Sequence, residues 1–360
     1  MKNERKFDLD DIAIVPSIVS EIGSRSECKI KTDGEWLPLI ASPMDTVVCH
    51  ENVNRYISND IIPCIPRGQY HKQDEFDRSL VFQSFGLTEL EDQLKFCKRR
   101  GKIALKGELS PNYVGKYKYV LIDVANGHME RLVKIVKSIK RLYPDIKIMA
   151  GNVGHPLTYK NLSMAGADYV RCSIGTGAGC TTAANVAVNY PIGSLISECR
   201  KLKEEGNLNA AIVADGGARD YSDIIKALAL GADYVMMGSI FNKSMESAGF
   251  NYWKTPIGRI RIRNYDLARW MWKWDFQIYK KYRGMSTKAV QRSWGKTKLV
   301  TAEGITKYQK VEYTLKQWVD NFRDYLSSNM SYSGSHNLNE FIGKADWVFI
   351  TERARKRFEK

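Results

Sequence analysis

The sequence predicts a parallel α/β fold, a (β/α)8 barrel or a doubly wound sheet, on three observations. Short Val- and Ile-rich runs alternate with helical patterns, the runs are mostly apolar, and polar, Gly-rich residues cluster just after them. Runs that do not alternate with polar residues are how strands buried on both faces read. Alternation of such strands with helices is the pattern of successive βα units.

Eight runs qualify as strands: Leu37–Ala41, Ile61–Ile65, Leu80–Phe85, Tyr119–Asp123, Ile146–Ala150, Tyr169–Ser173, Ala211–Ala214 and Tyr234–Met237. Gly, Asp, Asn or Pro bounds each of them. Between them, Met129–Leu142 carries Leu132, Ile135, Val136 and Ile139 at helical spacing, with lysines on the other face. Ser222–Leu230 is a second helix, and Gly231 follows it as a C-terminal cap. No Gly-x-Gly-x-x-Gly opens a first helix, so the doubly wound alternative loses its best support.

A chain of 360 residues suits one large barrel or two ordinary domains, and 44% hydrophobic residues supply a sizeable core. No apolar run approaches the ~18 residues of a membrane span. The charged start Met1-Lys2-Asn3-Glu4-Arg5-Lys6 has no apolar signal core, so a cytoplasmic protein is expected. Seven cysteines, scattered and without a C-x-x-C pair, read as reduced thiols rather than as disulfides or a zinc site. His50, His71, His128, His155 and His336 show no ligand spacing.

Net charge is +15. From Lys254 to Lys298 there are 13 Lys or Arg against Asp266 and Asp275, and four of the eight tryptophans share the stretch, with a fifth, Trp253, just before it. Basic and aromatic residues together fit nucleic acid, small phosphorylated ligands or a solvated helix face, and composition does not choose among them.

The polar clusters fall where a barrel places its site, at the carboxyl ends of strands. They are Ser42-Pro43-Met44-Asp45-Thr46, Asp123-Val124-Ala125-Asn126-Gly127, Gly151-Asn152-Val153-Gly154 and Asp215-Gly216-Gly217. The sharpest segment is Gly175-Thr176-Gly177-Ala178-Gly179-Cys180-Thr181-Thr182. Its three glycines let backbone approach a ligand closely. Successive N–H groups form an anion nest, carbonyls facing the other way ligate a cation, and a thiol there favours the thiolate.

This loop resembles the Gly-rich cysteine loop of the IMP dehydrogenase/GMP reductase family, and the resemblance runs in order along nearly the whole chain. Ala41-Ser42-Pro43-Met44-Asp45-Thr46-Val47, Asp123-Val124-Ala125-Asn126-Gly127-His128 and Ala150-Gly151-Asn152-Val153 are similar to its strand ends. Asp215-Gly216-Gly217, Met237-Gly238-Ser239, Tyr282-Arg283-Gly284-Met285-Ser286, Glu303-Gly304 and Met330-Ser331-Tyr332-Ser333-Gly334 continue the series. The resemblance implies a single (β/α)8 barrel over residues 1–360, with the basic Trp-rich segment at about 240–298 as an extension. About fifty residues separate Pro66 from Tyr119, too few for the CBS module that IMP dehydrogenases usually insert there. Only 17 residues lie between Met285 and Glu303, without the Arg-Tyr pair of a dehydrogenase flap. With Asp-Val-Ala-Asn-Gly, these features favour the reductase branch over a minimal IMP dehydrogenase using NAD, or a non-catalytic nucleotide- or nucleic-acid-binding relative.

The implied reaction converts GMP to IMP and ammonia with NADPH, through a thioimidate on Cys180. Thr182 and Glu303 match the family's proton-handling pair. Ser42, Met44, Asp215, Gly217, Gly238, Ser239, Tyr282, Gly284 and Met285 match its substrate contacts, with Asp215 on the ribose hydroxyls. Asp123, Ala125, Asn126 and Gly127 match its cofactor contacts. Carbonyls of Gly175, Gly177 and Cys180 match a monovalent-cation site, with K+ the implied ion. Departures are Ala178 in place of a common Ser, Thr176 in place of Pro or Cys, and a longer run between Ser239 and Tyr282. That run is expected to deliver Tyr282 and Met285 to the site and to bring an arginine from Arg259, Arg261 or Arg263 to the 2′-phosphate of NADPH. A homotetramer is implied as well, and no membrane partner; the resemblance does not call for nucleic acid, and the basic Trp-rich run leaves that partner open.

Overall fold

A computed structural model describes residues 4–70, 80–108, 113–293, 301 and 304–358. Eight parallel strands close into a barrel: β1 (Leu39–Ala41), β2 (Ile62–Ile65), β3 (Phe82–Phe85), β4 (Tyr119–Asp123), β5 (Lys147–Val153), β6 (Tyr169–Cys172), β7 (Ala211–Asp215) and β8 (Tyr234–Met237). β8 returns to pair with β1, Ile40 opposite Met236, which seals the ring. This is a (β/α)8 barrel, and each of the eight predicted runs supplies one stave.

Six of the eight strands differ from their predicted runs at a boundary, and the differences at β1 and β5 have identifiable reasons. β1 begins at Leu39 rather than Leu37, because Pro38 has no N–H to give a ladder. β5 runs to Val153, through the Gly151-Asn152 pair that reads as a turn in the sequence. Gly151 pairs with Asp123 on one side, and the ladder resumes as Val153 opposite Cys172 on the other. β7 extends one residue further, to Asp215.

The barrel interior is filled by Ile40, Ile62, Cys64, Phe82, Leu121, Met149, Val213 and Met236, with Phe82 set edge-on against Tyr119 and Tyr169. The outer layer is helical. Helix Glu130–Leu142 buries Leu132, Ile135, Val136 and Ile139, as their spacing predicts, with Glu130 in its first turn and Lys140 and Arg141 in its last to complement the helix dipole. Helix Tyr221–Ala229 is capped by Asp220, which accepts from Asp223 N–H at 3.0 Å. Gly231 follows at φ +113, where a Cβ would also strike the Arg200 side chain. The last long helix, Leu315–Tyr332, buries Trp318 and Phe322 in parallel stacking.

Between β8 and that last helix the chain leaves the barrel. The basic Trp-rich run forms neither a simple helix face nor a loose loop. It builds most of a four-stranded antiparallel sheet of β9 (Asn251–Thr255), β10 (Gly258–Ile262), β11 (Ile278–Arg283) and β12 (Thr306–Lys310), in spatial order β10-β9-β11-β12. Helix Tyr265–Lys273 covers one face, where Met245, Ala268, Ile278 and Val311 form a small core joined by Trp253, Met271 and Trp272. Asn264 caps that helix, accepting from Leu267 N–H at 2.9 Å. Of the five tryptophans in the run, Trp294 lies outside the described residues.

Lys280 lies on the covered face, 1% exposed, its Nζ donating to the carbonyl of Ser247 at 2.8 Å. Burial pushes its pKa down from 10.5 to about 7, against the pull of Glu246. The folded state therefore binds fewer protons than the unfolded chain between those two values, and stability rises with pH across that window. Replacing Lys280 with Met should remove this dependence. Urea unfolding at pH about 7 and about 9.5 should show native stability rising relative to the variant by roughly 1.4 kcal/mol per pH unit. Parallel pH profiles for the two proteins would show that Lys280 is not held neutral.

Candidate active site

The carboxyl ends of the barrel strands open onto one cavity of about 640 Å³. Residues after β1 (Ser42, Pro43, Met44), β2 (Arg67) and β4 (Asp123, Val124, Ala125) form one wall. Asn152 of β5, Arg171 of β6 and the Gly-rich loop from Ser173 to Cys180 form the floor and a second wall. Asp215 to Arg219 after β7, and Met236 to Ser239 at β8, complete the ring. The end of β11 closes over it with Tyr282, Gly284, Met285 and Ser286. A volume of this size suits a nucleotide-sized ligand.

Cys180 stands at the mouth. It is the one exposed thiol of seven; Cys28, Cys64, Cys97, Cys172 and Cys199 are buried and Cys49 is partly so. Its N–H donates to the carbonyl of Gly177 at 2.8 Å, which curls the loop back on itself. Its sulfur lies 3.1 Å from Thr182 Oγ1, and the Thr182 N–H points at it from 3.5 Å. Burial shuts the other thiols off from chemistry; it pushes the Cys49 pKa up to about 12.

Three glycines let the loops meet above the thiol. Gly284 N–H donates to the Ile305 carbonyl, and Ile305 N–H donates to the Gly179 carbonyl at 3.1 Å. A Cβ on Gly284 would lie 2.6 Å from that Gly179 oxygen, and one on Gly304 would lie 2.9 Å from Ser286 Oγ. Gly304 also forms a β-bridge with Cys180. Glu303, the residue before it, lies outside the described residues.

The floor is polar and paired. Arg171 reaches Asp123 at 2.7 Å through Nη1, and Asp215 at 2.7 Å through Nη2 and 3.1 Å through Nε. Asn152 Nδ2 donates to the same Asp215 oxygen at 2.7 Å. Burial works against the Arg171 charge, but the Asp215 and Asp123 carboxylates outweigh it and hold its pKa above the usual guanidinium value. Among the described residues no hydrogen bond reaches Asp215 Oδ1. Across the cavity Tyr282 is buried, its hydroxyl 3.6 Å from the Met44 sulfur and its pKa pushed up by that burial. Gly238 makes room for both: a Cβ there would sit 2.7 Å from the Met44 sulfur.

Most of the residues expected at the site line this cavity: Ser42, Met44, Asp123, Ala125, Gly175, Gly177, Cys180, Thr182, Asp215, Gly217, Gly238, Ser239, Tyr282, Gly284 and Met285. Asn126 and Gly127 do not. Gly127 turns inward, its N–H on the Asn152 carbonyl at 2.7 Å, and Asn126 is exposed with its side chain accepting from His128 N–H. His128 spends both ring nitrogens on the segment after β5, with Nε2 accepting from Gly154 N–H and Nδ1 3.0 Å from Thr158 Oγ1. Arg259, Arg261 and Arg263 are also away from the cavity, since Arg259 and Arg261 belong to the far edge strand of the sheet. The arginines that line the cavity are Arg67, Arg171 and Arg219. Arg171 was the main omission of the sequence reading. Its signal was a charged residue inside an otherwise apolar strand, Tyr169-Val170-Arg171-Cys172.

Comparison with known proteins agrees with this geometry. Residues 115–265 match the family model described as IMP dehydrogenase / GMP reductase domain. The chain carries an IMP dehydrogenase/GMP reductase domain. It is 28% identical to the GMP reductase of Shouchella clausii, over 96% of both chains. It is 28% identical to GMP reductase 2 of Bos taurus, over 99% of this chain and 97% of that one. Against the GMP reductase of Vibrio vulnificus the identity is again 28%, over 100% and 99%. Among the described residues, no helix is long and apolar enough to cross a membrane, and no cluster of His, Cys, Asp and Glu could hold a metal ion.

Arg171→Met leaves Asp123 and Asp215 facing each other without a cation. Removing one partner of such a buried cluster costs about 3–5 kcal/mol. Arg171→Lys should recover little of it, since an ammonium cannot serve both carboxylates as the planar fork does. Denaturant unfolding of both variants measures this, and a loss under about 1 kcal/mol would count against the cluster's role in holding the strand ends.

Proposed function

We propose that this protein is a GMP reductase, which converts GMP to IMP and ammonia at the expense of NADPH. The observation that carries the reading is the exposed Cys180, with Thr182 against its sulfur, at the mouth of a nucleotide-sized cavity. Likeness to GMP reductases over nearly the full chain supports it.

The Cys180 thiolate adds to C2 of the guanine base. The bond from C2 to the exocyclic nitrogen then breaks, ammonia leaves with a proton delivered through Thr182 and Glu303, and a thioimidate remains. A bound reduced nicotinamide supplies hydride to C2. The carbon–sulfur bond then breaks, Cys180 leaves as thiolate and IMP is free. Asp215 accepts the ribose hydroxyls, an assignment supported by Oδ1, which takes no hydrogen bond from the described protein. Backbone N–H groups of Gly217, Gly238 and Ser239 hold the phosphate, and Gly216 and Gly217, at φ +94 and +93, keep that cradle open. Ser42, Met44, Tyr282, Gly284 and Met285 enclose the nucleotide.

Asp123 and Ala125 are the proposed contacts for NADPH, and the cavity reaches them. A monovalent cation such as K+ would take carbonyls of Gly175, Gly177 and Cys180. The segment Ile174–Thr181 carries no carboxylate, a donor set that suits a singly charged ion better than a divalent one. A homotetramer in the cytoplasm is the proposed assembly and location.

The test is loss of reduced-nicotinamide absorbance with GMP and NADPH, run beside IMP with NAD. Turnover of the second pair alone would make the protein a dehydrogenase. Cys180→Ala should abolish turnover while GMP still binds, and an electrophilic purine nucleotide should modify Cys180 and spare the other thiols. Near-normal turnover in that variant would sink the covalent mechanism. Thr182→Ala and Glu303→Gln should slow single-turnover deamination by about 10²–10⁴-fold. If only KM rises, these residues bind and do not transfer protons.

A further inference from the structure

The sheet built by the basic run has two unlike faces. One is packed on helix Tyr265–Lys273; the other looks outward. Alternation along the strands and the pairing register fix which residues share the outer face. Tyr252 stands opposite Arg261 and Tyr279, Lys254 opposite Arg259, Tyr279 opposite Lys310, and Lys281 opposite Tyr308. On β11 the alternate residues Ile278, Lys280 and Tyr282 are buried, so Tyr279 and Lys281 belong outside.

This face is cationic and aromatic without relief. None of the four strands contains an Asp or Glu. Arg283, at the barrel end of the face, is neutralised by Asp45. Beyond it, Lys254, Arg259, Arg261, Lys281 and Lys310 have no acidic partner among the described residues. Rings and cations interleave: the Arg259 guanidinium lies 4.5 Å from the Tyr308 ring centre, Arg261 lies 3.6 Å from that of Phe250, and Tyr252 meets Tyr308 edge-on at 5.0 Å. Phe250 is 51% exposed and Tyr308 37%.

We infer that the outer face of this sheet binds single-stranded nucleic acid. Unstacked bases lie flat on tyrosine rings and guanidinium planes, while phosphates meet the flanking ammonium and guanidinium groups; this pairing of groups recurs on sheet surfaces that hold single strands. A duplex keeps its bases stacked inside and cannot use the rings. An acidic peptide would use the cations and leave the rings idle. The site is separate from the cavity, which none of these residues lines, and it does not depend on what reaction the cavity performs.

The experiment is fluorescence anisotropy of the full-length protein with labelled single-stranded oligo-dT and oligo-U, a duplex of equal length, and heparin as competitor. Single strands should bind at least about tenfold tighter than the duplex. The log–log salt slope should be roughly −0.7 for each phosphate engaged. Tyr308→Ala and Tyr252→Ala should each weaken binding by about 5-fold or more, as loss of one stacked base does. Arg259→Ser with Arg261→Ser should weaken it and flatten the salt slope, and circular dichroism confirms that each variant is folded. Saturating GMP should leave oligonucleotide binding unchanged. Three results would overturn the inference: no binding at low salt, equal binding of duplex with no effect of the tyrosine variants, or displacement of the oligonucleotide by GMP.

Discussion

Arg171 is the interaction on which the mouth of the barrel depends. It rises from β6 and joins the carboxyl ends of β4 and β7 through Asp123 and Asp215. Carboxylates so placed would repel each other in a dry cavity. With the guanidinium between them they become a fixed floor, and Asn152 locks one corner from β5. Four consecutive strands thus end in one hydrogen-bonded network, from which the loops carrying Cys180 and the glycines of β7 depart. The floor keeps its charges paired, so the walls above are free to be shaped by glycine and small side chains.

The barrel was legible because parallel strands are buried on both faces. Tyr119–Asp123 and Tyr234–Met237 have the predicted limits, since both their flanks and their interiors follow that rule. The end of β5 was not legible, because Gly151 and Asn152 are turn formers that here remain in the ladder. The antiparallel sheet was still less so. Its strands mix basic and aromatic residues with few aliphatic ones, as in Tyr279-Lys280-Lys281-Tyr282-Arg283, and one buried member is a lysine. Composition identified the charge and the rings; only pairing revealed that they share a face.

Much of the cavity was legible for a different reason: polar and Gly-rich clusters follow apolar runs at the position where barrel strands end. That rule found Ser42, Asp123, Cys180 and Asp215, while Gly238 came from the resemblance. Asn126 and Gly127, which it also marked, lie off the cavity lining, and the turn there is tightly packed: a Cβ on Gly127 would lie 2.5 Å from the Asn152 carbonyl oxygen. It missed Arg171, which sits inside its strand and not after it.

The main-chain link among Gly179, Gly284 and Ile305 joins the cysteine loop to the sheet without any side chain. Peptide groups are the same in every residue, so this joint is indifferent to most substitution in the segments it connects. Only the glycines, which let the chains approach, are constrained. Such a joint can be inherited while the surface it carries diverges. The outer face of the sheet is thus free to acquire new charges and rings over evolutionary time, with the thiol kept in register beneath it.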